Sequence, residues 1–280
     1  MQQMYDLMEA ILPFSWVKYD FMKNAFLAIL LITPLFGFLG TMIVHKKMAF
    51  FSDALGHSAF TGIAIGILFS FTDYNLSMII FAVIFALLLN KIKSKQTIAA
   101  DTIISVFSSC SIALGLLVLS SHGKFSTYSG LLVGDILSIT PKEITYLLIV
   151  FLLTIVFWYL CFNQMLAISI HPALARSRGI KLKVMENIFV VCIAVIVMIS
   201  IKWVGILLIN ALLILPVAAA RNIAVNMREY HFFAILFSMF SGVAGLLVSY
   251  YVNLSAGPMI VIFASIIFFS TFFYGRILQR

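Results

Sequence analysis

Nine apolar runs, most of them near twenty residues long, follow one another along the chain, at about residues 24–44, 49–71, 75–90, 99–119, 144–163, 185–201, 204–220, 231–251 and 256–275. A helix rises 1.5 Å per residue, so about 20 apolar residues cross the ~30 Å hydrocarbon layer of a bilayer. Backbone amides find no water there, which restricts spanning segments to helices and closed barrels. Barrel strands alternate in period two, and these runs do not. With 63% hydrophobic and 10% charged residues, the chain cannot be a soluble domain that hides its apolar side chains inside. The expected fold is all-α: a polytopic membrane helix bundle of eight or nine spans. The count is eight if the short turn Ile201-Lys202-Trp203-Val204 only breaks one span into halves.

Charge orients the bundle. If His45-Lys46-Lys47 is cytoplasmic, alternation also places Lys91, Lys93, Lys95, Arg176, Arg178, Lys181, Lys183, Arg221, Arg228, Arg276 and Arg280 inside. Lys18, Lys23, Lys124, Lys142 and Lys202 remain outside, so 13 of the 18 basic residues are internal. That bias predicts a multi-pass protein of the inner (plasma) membrane with its N-terminus outside and its C-terminus in the cytoplasm. The net charge of +8 follows from the same asymmetry, without the basic stripe of a nucleic-acid binder. Residues 1–23 carry Asp6, Glu9 and Asp20 and no basic n-region, which suits an external, interfacial amphipathic helix better than a signal peptide. Residues 24–280 form the transmembrane domain. Cys110, Cys161 and Cys192 fall in three different runs without CxxC spacing and read as small buried hydrophobes.

Within residues 48–71 stand one carboxylate and one imidazole, Asp53 and His57, four residues apart and so on one helical face. An ionisable side chain deep in a span costs at least ~2.5 kcal/mol and needs a partner, a wet cavity or an ion. Two readings stand on spacing alone. An Asp oxygen and a His nitrogen are ligands for Zn, Mn or Fe as divalent cations, or the pair bonds to itself as helix glue. Gly62 and Gly66 on the same span, like Gly130 and Gly134, have the four-residue spacing that lets helices approach closely. Pro34 and Pro216 fall inside spans. Gly134-Asp135 turns the chain or offers a ligand, the turn being preferred, and Glu143 after Pro141 reads as a helix start. Glu186 near Lys183 reads as a solvated pair.

The internal loop after the fifth run reads SIHPALARSRGIKLK from Ser169. Pro172 suits a first helical turn, Ala173, Leu174 and Ala175 extend it, and Gly179 can end it in a left-handed cap. Such a short rigid helix either anchors to anionic lipid through Arg176 and Arg178 or docks into another protein's groove.

Several of these segments resemble the zinc and manganese permease family of bacterial ABC importers. They are Ser52-Asp53-Ala54-Leu55-Gly56-His57-Ser58, Gly134-Asp135-Ile136-Leu137-Ser138-Ile139-Thr140-Pro141, His171-Pro172-Ala173-Leu174-Ala175, Val204-Gly205-Ile206-Leu207-Leu208, Leu215-Pro216-Val217-Ala218-Ala219-Ala220-Arg221 and Ala256-Gly257-Pro258. The resemblance runs in unbroken order from about residue 28 to 273. It implies a type II ABC importer-like permease, related to siderophore and cobalamin importers, that pairs with a second copy of itself. Two cytoplasmic ATPase subunits and an extracytoplasmic metal-binding protein complete the implied assembly. It also implies that Asp53 and His57 meet the transported metal, and that residues 171–179 form the coupling helix, with His171, Pro172, Ala173, Leu174, Ala175, Arg176 and Gly179 facing the ATPase. Arg176-Ser177-Arg178 is more basic than the family loop.

No cofactor is expected to stay bound; Zn2+ or Mn2+ passes through, and ATP belongs to the partner subunit. The chain has no G-x-x-x-x-G-K-[ST] phosphate loop, so it cannot be its own ATPase of that type, and no H-E-x-x-H of a metalloprotease. Mixed oxygen and nitrogen ligands favour zinc over manganese by affinity order, with manganese and iron as alternatives. A proton-coupled secondary transporter using the same Asp and His is the reading from a different class. A ligating imidazole must be neutral, so uptake should fall in acid.

Overall fold

A computed structural model describes residues 2–11, 14–71, 74–93 and 100–278. Lys95 and Arg280, counted among the internal basic residues, and residue 99, the expected start of the fourth span, lie outside the described residues. The helices are α1 (Gln2–Ile11), α2 (Asp20–His45), α3 (Ala49–Leu68), α4 (Tyr74–Lys93), α5 (Ala100–Ser121), α6 (Phe125–Ser129), α7 (Pro141–Ile170), α8 (Pro172–Ser177), α9 (Leu182–Val204), α10 (Ile206–Ile223), α11 (Met227–Val252) and α12 (Ala256–Leu278). Short 3-10 turns at Ser15–Lys18, Gly130–Leu132 and Ile136–Ser138 complete the order. Among the described residues, nine helices are long and apolar enough to cross a membrane, α2–α5, α7 and α9–α12. The fold is the expected all-α membrane bundle, with nine candidate spans among the described residues.

The ninth span exists because Gly205 separates α9 from α10. It stands at φ +80°, a conformation that side chains with a Cβ rarely adopt. Gly134, at φ +71°, lies directly against it, and a Cβ on either glycine would collide with the other strand of backbone. The Asp135 side chain accepts a hydrogen bond from Leu137 N at 3.2 Å, so Gly134-Asp135 is the preferred turn. Gly130 meets nothing within 4 Å, so its spacing from Gly134 is not a helix-packing device.

The helix ends follow local chemistry. Thr140 and Glu143 form a reciprocal capping box before α7: Thr140 N donates to Glu143 Oε2 at 2.8 Å and Glu143 N to Thr140 Oγ1 at 3.4 Å. Asn226 and Glu229 cap α11 similarly, with Glu229 N donating to Asn226 Oδ1 at 2.9 Å.

The chain forms two compact units. The first comprises residues 1–44, 131–152 and 203–280. Here α10, α11 and α12 pack on one another, and Val217, Ala220, Tyr230 and Ala234 form a buried cluster between α10 and α11. Ser238 Oγ donates to Thr33 O at 2.7 Å where α11 meets α2. At the start of this unit α1 turns Tyr5 inward and Asp6 and Glu9 outward, as an amphipathic helix should. The buried ammonium of Lys23 pairs with Glu9 at 2.5 Å and Asp20 at 3.1 Å, and the Tyr5 hydroxyl donates to Asn24. Burial first, then the Asp20 charge, holds the Tyr5 phenol above its ordinary range, against the opposing pull of Lys23.

The second unit comprises residues 45–130 and 153–202. Its centre is α3, with α4 and α5 against it. A Cβ on Gly62 would fall 2.7 Å from Met78 Cα, so the glycine brings α3 onto α4. Close approach of this kind replaces the hydrophobic drive that lipid cannot supply between helices. Ser77 Oγ donates to Gly62 O at 2.6 Å, and Thr61 Oγ1 donates to Ser111 O on α5. Cys110 is exposed on α5 rather than buried, and Cys161 and Cys192 are partly exposed; all three are free. In a spanning helix an exposed thiol faces lipid or another chain, where a small apolar group costs nothing.

Candidate metal-handling site

Helix α3 is the most enclosed of the nine candidate spans, with 72% of its apolar window buried. Between Phe51 and Ala64 every residue except Asp53 and His57 is buried. Those two repeat at four residues, so they form a narrow polar opening on this covered stretch. Asp53 lies about 6 Å and His57 about 12 Å along α3 from Ala49, one and two turns in. The pair therefore sits in the Ala49 half of this 20-residue helix, with His57 close to its middle.

His57 Nε2 and Asp53 Oδ1 stand 3.5 Å apart, with side-chain exposures of 27% and 44%. That gap is longer than the 2.7–3.2 Å of an ordinary N–H···O bond but within the 4 Å of an ion pair. Ligand atoms about 2.1 Å from one tetrahedral ion lie about 3.4 Å from each other. The gap thus suits one ion held between the two atoms. The second ring nitrogen, His57 Nδ1, is buried and meets no hydrogen-bond partner among the described residues. A buried polar atom left without local bonds calls for an explanation outside local packing. No group of three or more His, Cys, Asp and Glu able to hold a metal occurs among the described residues.

The predicted loop helix is present as α8, over Pro172–Ser177. His171 precedes it as N-cap, its Nδ1 accepting from Leu174 N at 3.3 Å. Gly179 at φ +78° ends it; Ile180 N donates to Ala175 O at 3.1 Å and Gly179 N to Arg176 O at 3.0 Å, the paired bonds of a Schellman cap. Pro172, Ala173, Leu174 and Arg176 are exposed and Ala175 is buried, so the helix presents a preformed outer face. Asp53 and His57 occupy one helix, while residues 171–179 form a separate element.

Other ionisable residues have local duties. His122 Nδ1 donates to Val118 O at 2.9 Å and His231 Nδ1 to Met227 O at 2.7 Å, each back onto its own helix. Sequence reasoning missed the setting of Glu186: it lines a cavity with His45, Lys46 and Lys47, which no local spacing could reveal.

A model of the ABC 3 transport family matches residues 18–275. The chain is 30% identical over 239 residues to the "High-affinity zinc uptake system membrane protein ZnuB" of Haemophilus influenzae, covering 84% of this chain and 90% of that one. It is 25% identical over 259 residues to the "Manganese transport system membrane protein MntC" of Listeria monocytogenes, covering 92% of each. Among solved structures it is similar to PsaBC from Streptococcus pneumoniae, in complex with Fab. There the TM-score is 0.80 and the identity 25%, over 97% of this chain and 95% of that one.

Proposed function

Because the chain belongs to the ABC 3 transport family, we propose that it is the membrane permease of an ATP-driven divalent-metal importer and that Asp53 and His57 meet the ion in transit. It is a transport subunit of the zinc and manganese ABC permeases, and its reading as non-enzymatic follows from that membership. The observation that carries the site is the accessible polar pair on α3: a nitrogen and an oxygen 3.5 Å apart where every other residue from Phe51 to Ala64 is buried. Zinc is the first choice of cargo, by affinity order at mixed oxygen and nitrogen ligands. The zinc-named and manganese-named relatives keep both metals in play.

In the proposed cycle an extracytoplasmic binding protein delivers the ion to a homodimer of this chain. The carboxylate of Asp53 offsets part of its charge and the neutral imidazole of His57 supplies nitrogen. ATP binding closes the partner ATPase subunits, which move the spans through residues 171–179. The preformed cap and exposed face of α8 support this coupling role, because a docking helix transmits force only if it does not melt. The basic bias of one set of loops supports an external N-terminus. Radiotracer uptake into cells lacking their own importer tests the reading. Zinc rescue of growth, with Asp53→Ala and His57→Ala both losing uptake while still inserting, is expected; manganese-only rescue would transfer the cargo. ATP-independent uptake would favour the proton-coupled alternative.

A further inference from the structure

The second unit contains a further candidate site. A cavity of about 360 Å³ opens where the turn after α2 meets the ends of α4 and α7 and the start of α9. Its volume lies in the range of small-ligand sites, about 300–1,000 Å³. The wall carries His45, Lys46 and Lys47 from the turn, with Asn90, Glu186 and Phe189 opposite. Lys46 Nζ sits 5.3 Å from the centre of the Phe189 ring, which places the ammonium on this cavity rather than free in solution. Asn90 Nδ2 donates to Asn187 Oδ1 at 2.8 Å and is fixed by that bond. Lys47 adopts φ +55°, a strained conformation for a residue with a side chain, and the turn holds it there. Met48 then begins α3 without a side-chain cap, so the positive end of that helix adds to the lysines.

The position identifies the ligand. All the walls are ends of membrane-spanning helices, so the cavity stands at the level of lipid headgroups, and buried Met48, Ile168 and Val190 give it an apolar floor. Two lysines against one carboxylate favour an anion. A basic pocket between spans at a membrane surface is suited to an anionic headgroup. We propose that the cavity of the α2–α3 turn binds an anionic glycerophospholipid, its phosphate between Lys46 and Lys47 and a headgroup hydroxyl donating to Glu186. A phosphatidylglycerol headgroup has both groups, whereas inorganic phosphate offers the charge without the acyl chains. The inference stands apart from the identity of the cargo.

Native mass spectrometry of the full chain, stripped of lipid and titrated with phosphatidylglycerol or phosphatidylcholine, tests it. The double variant Lys46→Gln, Lys47→Gln is expected to weaken phosphatidylglycerol binding roughly 30-fold, about fivefold per charge, and to leave phosphatidylcholine unchanged. Lys46→Arg, Lys47→Arg keeps the charge and should keep the lipid, which separates charge from folding. Lys124→Gln, a lysine bonded to Tyr74 on other elements, should change nothing. Phosphatidylglycerol binding that survives the glutamine pair would overturn the proposal. So would displacement of the lipid by excess inorganic phosphate, which would make this a free-anion site. Loss of ATPase association with lipid binding intact would assign the lysines to protein docking and overturn it as well.

Discussion

Two clusters of ionisable groups lie on membrane helices of this protein, and they are built in opposite ways. Around Lys23 the charges close on each other: the ammonium is 4% exposed, reaches Glu9 at 2.5 Å and Asp20 at 3.1 Å, and lies over the Tyr5 ring. At Asp53 and His57 the atoms stop 3.5 Å apart, both side chains stay accessible, and one ring nitrogen is buried without a partner among the described residues. A closed cluster fastens one segment to another. The Asp53–His57 pair, on the most enclosed candidate span, stays accessible instead. The lesson is that charge in a span is informative mainly through how accessible its surroundings leave it.

The largest effect should come from the open pair. Asp53→Ala or His57→Ala should each lower metal uptake at least ~100-fold, as loss of a ligand exceeds the 10–100-fold cost of losing its support. Thermal stability, read by the melting of purified protein, should change little. Next comes the packing that positions the pair. Gly62→Val would push α3 off Met78, destabilising by about 1–3 kcal/mol and lowering uptake together. Gly130→Ala, with nothing within 4 Å, should alter stability by less than ~0.5 kcal/mol.

Spans are legible in the residues alone because the bilayer demands ~20 apolar residues without interruption. The α7 start is legible too, since Glu143 after Pro141 marks a helix beginning and Thr140 completes the box. Its far end runs on to Ile170, beyond the expected residue 163, because Pro172 disfavours helix only at the residue before it. The Asp53–His57 pair is legible as a spacing, but its accessibility is not. That accessibility depends on how α4 and α5 pack on α3, and periodicity carries no record of which neighbours arrive. For the same reason Glu186 reads as a partner of nearby Lys183, whereas the fold sets it on a cavity with residues from the distant turn at His45, Lys46 and Lys47.

Smaller effects sharpen the contrast from the closed side. Lys23→Met should lower stability by about 1–2 kcal/mol, since its two carboxylates are largely solvated and lose only part of their bonding. Uptake per folded molecule should hold. Loss of transport equal to that of His57→Ala would erase the distinction. The weakest signal is pH. In acid, protonated imidazole cannot ligate, so uptake falls while the Lys23 cluster is unaffected by that route. In alkali the closed cluster weakens instead. The folded Tyr5 phenol is held above its ordinary value, so its contribution is complete below ~10 and is lost as pH rises through the raised folded value. Melting curves from neutral pH upward, with Tyr5→Phe as reference, would read this.

The central claim is that one ion lies between His57 Nε2 and Asp53 Oδ1. X-ray absorption at the zinc edge of the purified, zinc-loaded protein tests it most directly. The account predicts nitrogen and oxygen neighbours near 2.0–2.2 Å with the scattering signature of imidazole, and loss of that signature in His57→Ala. An unchanged imidazole signature in His57→Ala would contradict it.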